Sequence, residues 1–374
     1  MIYFDNAATG GFKPYSVTQT VTTVINFLSA NPGRSGHRLS ITGAKILSDC
    51  RSIIAETFNC SSERVIFTKN CTEALNLAIF GTVKKYGHII TTVFEHNSVL
   101  RPLYSLKKQG LIDLSIVSAT DEETLVSRIE KEIRPETYLI VCTCASNVTG
   151  FVLPIARIGD IAKKHRLLYF LDGAQGAGHF PIDMKDLNAS ALALAGHKGL
   201  YGIMGSGALL ISDELEISPM TFGGTGNETF NTDMPLTYPE HLEAGTLNLP
   251  AIASLLEGVR YVKNNISTFS EILYSYTTRL ITSLSQIDGI KVYSKPNCVG
   301  IVSLAIDNKP SDQVSDLLNS EYDVAVRGGW HCAPLIHKNL NTHNDGLVRV
   351  SLAPQNTFRE IEYLKKALIK ISNC

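Results

Sequence analysis

Residues 190–212 read "SALALAGHKGLYGIMGSGALLIS". The two apolar runs at its ends, 190–195 and 207–212, do not alternate polar with apolar, which is how strands covered on both faces read. Between them stands one lysine, Lys198, with a histidine before it and four glycines between 199 and 207. A lysine at the end of a buried strand is costly for packing, so its place there asks for a chemical reason.

Runs of the same kind recur at 64–68, 88–94, 111–117, 138–144 and 167–172. Between them lie segments with helical spacing at 72–86, 97–109, 121–132 and 154–165. Alternating strand and helix predicts an α/β fold with a doubly wound, mostly parallel sheet of seven strands. After residue 250 the pattern changes to two helical stretches, strand-like runs at 299–306 and 347–352, and a last helix over 357–372. We expect a large domain over 13–250 and a smaller α+β domain built from 1–12 and 251–374, packed rigidly because no repeat or Gly/Ser linker separates them.

The chain has 374 residues, 44% hydrophobic and 18% charged, with net charge −1. That length suits two domains of ~100–200 residues, and the composition supports a large core. Near-neutral charge argues against nucleic acid or an anionic membrane as a partner, since both select a concentrated basic surface. The start "MIYFDNAATGG" shows no basic, then apolar, leader, and no uncharged stretch reaches the ~18 residues of a membrane span, so a soluble cytoplasmic protein is expected. The eight cysteines, at 50, 60, 71, 142, 144, 298, 332 and 374, are scattered as buried thiols would be and unlike a disulfide framework. Cys142 and Cys144 would share one strand face as core residues, and no metal site is expected.

In open α/β sheets, ligands sit beyond the carboxyl ends of the strands. After 64–68 come Asn70, Cys71 and Thr72, opening a helix whose free N–H groups either take an anion or are simply capped. After 88–94 comes "EHNS" with His96, a residue that by itself reads as structural, and after 138–144 comes "SNVTG" with Asn147. Asp172 ends an apolar strand, where a carboxylate either caps a helix or meets a cationic partner, and Gln175 follows. With Lys198 as an amine for a carbonyl, an acid for a pyridine nitrogen and a helix start for a phosphate, these strand ends describe a pyridoxal 5′-phosphate site.

The motifs "YFDNAAT", "EHNS", "SNVTG", "DGAQ", "GHKGLYG", "EAGTLN" and "RGGWHCAP" resemble the class V aminotransferase group of fold-type I pyridoxal-phosphate enzymes, above all cysteine desulfurases and selenocysteine lyases. The resemblance implies Lys198 as the lysine that carries the cofactor as a Schiff base, Asp172 on the pyridine nitrogen, Gln175 donating to the ring oxygen and His96 on the ring face. It implies phosphate contacts from Cys71, Thr72 and His197, and a place beside the ring for Asn147. Thr246 would reach the phosphate of the other subunit of a homodimer, Arg349 would grip the substrate carboxylate with Arg327 as the next candidate, and Cys332 would take the sulfur. Two departures stand out: Ala195 where many relatives have serine, and "NCT" at 70–72 in place of small hydroxyl residues.

The expected activity is conversion of L-cysteine to L-alanine with a persulfide on Cys332, passed to a sulfur-acceptor protein. Cys332 would attack as thiolate, favoured by cationic neighbours for which His331 and Arg327 are the candidates. Selenocysteine lyase, cysteine-sulfinate desulfinase or another class V aminotransferase is the alternative, and a scaffold without turnover a third reading that the retained Lys198 and Asp172 disfavour. Trp330, two residues before Cys332, is expected either to shape substrate access or to pack as wall.

Overall fold

A computed structural model describes residues 1–373; Cys374 lies outside the described residues. The first strand, β1 (Ile2–Tyr3), precedes helices α1 (Tyr15–Phe27) and α2 (Arg38–Phe58). Then strands and helices alternate: β2 (Val65–Thr68), α3 (Cys71–Gly81), β3 (Gly87–Thr92), α4 (Asn97–Lys108), β4 (Ile112–Val117), α5 (Glu122–Lys131), β5 (Thr137–Thr143), α6 (Ile155–His165) and β6 (Leu168–Asp172). Strands β7 (Ala191–Ala195) and β8 (Gly207–Ile211) follow without a helix between them.

These strands form one seven-stranded sheet in the order β2-β8-β7-β6-β5-β3-β4. Only β8 runs against its neighbours, because the turn after Lys198 returns the chain directly alongside β7. The sheet is mostly parallel, as its apolar strands predict, and buried side chains cover both faces. Every strand the sequence pattern located is present to within two residues. Helix α3 is the exception among the neighbours: it stops at Gly81 rather than 86, where a Cβ would lie 2.3 Å from Ile217 Cγ2.

The chain continues through α7 (Leu249–Lys263), α8 (Ile266–Leu284), β9 (Ile290–Val292), β10 (Ile301–Ile306), α9 (Ser311–Tyr322), β11 (Val324–Ala325), α10 (Pro334–Asn339), β12 (Val348–Ser351) and α11 (Phe358–Ser372). Strands β12, β10 and β9 form an antiparallel sheet with its own core, against which α8, α9 and α11 pack. The N-terminal β1 pairs with β11, and Asp5 bridges to Ser351 at the end of β12. Among the described residues no helix is long and apolar enough to cross a membrane.

Candidate active site

Strand polarity brings the carboxyl ends of β2, β3, β5, β6 and β7 to one edge of the sheet, and the residues that follow each end line one cup. Cys71, Thr72, His96, Asn147, Asp172, Gln175, His197 and Lys198 all lie in it, with Ala195 and Ser98. The glycines around Lys198 have a packing reason. At Gly178, with φ +88°, a Cβ would stand 2.1 Å from Gly199 O, and one at Gly199 would stand 2.5 Å from Ala177 O. Only bare backbone lets the turns after β6 and β7 press together and bring Asp172 and Lys198 into one space.

Asp172 is 2% exposed. Its Oδ1 accepts from Ala174 N at 2.9 Å and from Cys71 Sγ at 3.3 Å. The Lys198 amine is enclosed by protein, and loss of water lowers its pKa against the opposing pull of Asp172. Such an amine is more readily neutral and nucleophilic than a surface lysine.

Helix α3 is capped by Asn70, whose Oδ1 accepts from Glu73 N at 2.9 Å, and its first residues Cys71 and Thr72 line the cup. His96 likewise caps α4: its Nδ1 accepts from Ser98 N at 3.0 Å. Burial lowers the His96 pKa to about 4, so the ring is neutral with its proton on Nε2. Ser98 Oγ stands 2.8 Å from that Nδ1 and 2.7 Å from Thr72 Oγ1, linking the starts of α4 and α3. His197, with its pKa lowered to about 4 by burial and by Lys198, has Nδ1 3.1 Å from Thr9 Oγ1.

Arg349 on β12 is 1% exposed and reaches Asn147 of the cup from the other sheet. It donates from Nη1 to Asn147 O at 3.0 Å and from Nη2 to Asp5 Oδ1 at 2.9 Å. Arg327 faces it across a backbone bridge. Asn147 Nδ2 donates to His331 O at 2.7 Å and Asn97 N to Cys332 O at 2.7 Å, so the turn bearing Cys332 is pinned between β5 and α4. His331 and Cys332 both have left-handed φ, 49° and 57°. Cys332 is exposed and lines a groove whose walls include Thr72, His96, Ser98 and Arg101, just outside the cup.

One expectation changes. His331 is not a cation beside Cys332: burial and Arg349 push its pKa to about 2, and its Nε2 sits 3.0 Å from Leu347 O. Gln175 directs Nε2 to Ala7 O at 2.9 Å, leaving Oε1 buried without a partner and one amide hydrogen for a ligand. Thr246 is not in the cup of its own chain; it is exposed and lines a separate groove with Arg34, Arg51 and Glu243. Trp330 is 52% exposed and donates to His343 O at 2.9 Å. Sequence reasoning passed over Ser98, Asp5 and Glu95, the last fully buried. The signal available for all three was their place inside "YFDNAAT" and "EHNS".

A model of the class V aminotransferase family matches residues 2–364, and the chain belongs to that family. Several similar proteins are described as cysteine desulfurases. A probable cysteine desulfurase of Methanothermobacter thermautotrophicus is 32% identical over 99% of this chain and 94% of its own length. Another, of Pyrococcus abyssi, is 32% identical over 97% and 92%. The apo cysteine desulfurase of Thermococcus onnurineus superposes with a TM-score of 0.93 at 29% identity, covering 100% of this chain and 94% of that one. A cysteine desulfurase of Escherichia coli gives 0.89 at 25%, covering 98% and 94%.

Proposed function

We propose that the chain is a pyridoxal-phosphate-dependent cysteine desulfurase that moves the sulfur of L-cysteine onto Cys332 and releases L-alanine. The observation that carries this reading is the place of Cys332: a thiol on a pinned turn at the mouth of the Lys198 cup, sharing Thr72, His96 and Ser98 with it. An aminotransferase has no use for a thiol there.

The cup suits the cofactor. Asn147 Oδ1 and Gln175 Oε1 are buried with no partner, and a carboxylate and an amine share the same enclosed space. Asp172 would hold the pyridine nitrogen, His96 the ring face, Gln175 and Asn147 the ring edge, and Thr72, Cys71 and His197 the phosphate. Bound there, pyridoxal phosphate supplies an electrophilic carbonyl and a sink for negative charge at the substrate Cα.

The chain's own residues do the rest. Lys198 Nζ, poised toward its neutral form, accepts the Cα proton and later returns one. Asp172 would keep a bound pyridine nitrogen protonated by accepting its hydrogen bond. Arg349, with Arg327 beside it, holds the substrate carboxylate through nitrogens not spent on Asp5 and Asn147, and its Nε is buried and unpartnered. Cys332 Sγ attacks the substrate sulfur as thiolate while the sulfur's bond to Cβ breaks, leaving its electron pair with Cβ for protonation.

The same reading assigns Arg349, Arg327 and Cys332 to a unit of 1–12 and 251–374, and the cup to a unit of 13–250. It makes the enzyme a homodimer in which Thr246 serves the partner's phosphate, and places it in the cytoplasm, where thiols stay reduced and a sulfur-acceptor protein can meet Cys332. Purified protein saturated with the cofactor and given L-cysteine and a reductant should yield sulfide and alanine in equal amounts. Transfer of the amino group to a keto acid without sulfide would sink the assignment, and turnover of selenocysteine alone would move it to the lyases.

A further inference from the structure

Arg349 heads the fully buried side chains in size, and its charge is met by one carboxylate, Asp5, at 2.9 Å. A guanidinium taken from water needs such a partner. Two of its nitrogens are committed, Nη1 to Asn147 O and Nη2 to Asp5 Oδ1, which fixes the guanidinium plane from both sides. Nε is left buried and without an acceptor.

Asp5 is itself held on the strand that carries the arginine. Ser351, two residues past Arg349, donates from N to Phe4 O at 2.7 Å, accepts at its O from Asn6 Nδ2 at 2.9 Å, and accepts at Oγ from Ala7 N at 3.0 Å. The same segment then touches the cup. Ala7 O accepts from Gln175 Nε2 at 2.9 Å, and His197 O accepts from Gly10 N at 2.9 Å and from Thr9 Oγ1 at 3.2 Å. Residues 5–10 therefore form a strap from the arginine to the turns that bear Gln175 and Lys198.

We propose that Asp5 is a positioning residue for the carboxylate site. By holding Nη2 it turns the Arg349 guanidinium so that Nε and the hydrogens still free face the α-carboxylate of the amino-acid substrate, and the strap it begins sets the distance from that anchor to the cup. The proposal rests on Arg349 being the carboxylate anchor.

The test compares Asp5→Ala and Asp5→Asn holoenzymes with L-cysteine, and by spectral titration with L-alanine and with cysteamine, an amine of the same chain length that lacks the carboxylate. Loss of a hydrogen bond to a charged group in Asp5→Ala should raise KM for L-cysteine by about 10-fold or more and weaken L-alanine binding equally, with kcat within about threefold. Asparagine, which keeps an oxygen for Nη2, should restore most of this. Cysteamine binding should not change. Where Asp5→Ala does not fold, Asp5→Ser, too short to reach Nη2, takes its place. An unchanged KM, or an equal loss of cysteamine binding, would overturn the proposal. Arg349→Lys separates the two levels. If it raises KM and Asp5→Ala added to it raises KM no further, both stand. If it raises KM and Asp5→Ala alone does not, only the role of Asp5 falls. If Arg349→Lys leaves KM unchanged, the anchor is elsewhere and both fall.

Discussion

The thiol of Cys71 donates to Oδ1 of Asp172 at 3.3 Å, from the first turn of α3 to the end of β6. Burial, and then the negative charge of Asp172, push the Cys71 pKa well above the usual thiol range. Cys71 is therefore a neutral donor that fixes a carboxylate, the opposite of the thiolate task proposed for Cys332. Losing that bond in Cys71→Ala should weaken retention of pyridoxal phosphate by about 10-fold, while serine, a better donor, should stay within about threefold of the parent. Titration of apoenzyme with the cofactor measures both. Equal retention by all three proteins would remove Cys71 from the support of Asp172.

Lys198 offers a direct check on covalent attachment. Its amine is enclosed and poised toward the neutral form, the state that adds to a carbonyl. Borohydride reduction of the loaded protein, followed by peptide mass analysis, should place the added mass on Lys198. Lys198→Ala should keep the cofactor only without a covalent bond, since Asp172, Gln175 and His96 remain in the cup. Label on another lysine would show that the cup is misassigned.

Glu95 makes stability depend on pH. It is fully buried, Thr92 Oγ1 donates to its Oε1 at 2.6 Å, and Oε2 has no partner. Burial raises its pKa to about 8. The folded protein thus holds a proton that the unfolded chain has lost above its ordinary value of 4.5. For a raised pKa, the stabilising contribution is complete below 4.5 and is lost as pH rises through about 8. Glu95→Gln stays neutral throughout, so its stability relative to the parent should improve steadily between pH 5 and pH 8. Urea midpoints at several pH values read the slope, and a constant packing penalty cannot mimic it. A flat difference would mean that Glu95 is ionised in the folded protein.

Much of the sheet was legible because its strands are buried on both faces and so are apolar throughout, as in "YLIVCTC" and "LLYFLD". Asp172 and Lys198 interrupt or end such runs, and polar residues there are conspicuous. The unread parts have physical reasons too. Strands β1 and β11 are two residues each, too short for a period. Asp5 meets Arg349 across 344 residues of sequence, a pairing that no local pattern contains. His331 looks like a cation in "GGWHC", and only its burial against Arg349 shows that it is neutral. Ser98 sits in plain view in "EHNS", but its bond to Thr72 exists only once α3 and α4 lie side by side.

Cys332 carries the assignment of the reaction, and its surroundings allow a sharp test. Its carbonyl is bound by Asn97 N at 2.7 Å, and the neighbouring His331 carbonyl by Asn147 Nδ2 at 2.7 Å, so the backbone of the turn is fixed independently of the side chain. The thiol itself is exposed and stands beside the N-terminus of α4, where the helix dipole favours negative charge. His331, being neutral, supplies no cation there. Replacing Cys332 with alanine removes one exposed sulfur and no backbone contact, so fold, cofactor content and L-cysteine binding should be unchanged. Sulfide release should fall by at least about 100-fold, the scale expected when a nucleophile is deleted and positioning alone remains. Protein-bound persulfide, read by mass analysis after a single turnover, should vanish from this position. A variant that still desulfurates L-cysteine at the parent rate would end the reading of Cys332 as sulfur acceptor. Loss with L-cysteine but survival with selenocysteine would instead identify a lyase, because selenium leaves carbon without a thiol to receive it.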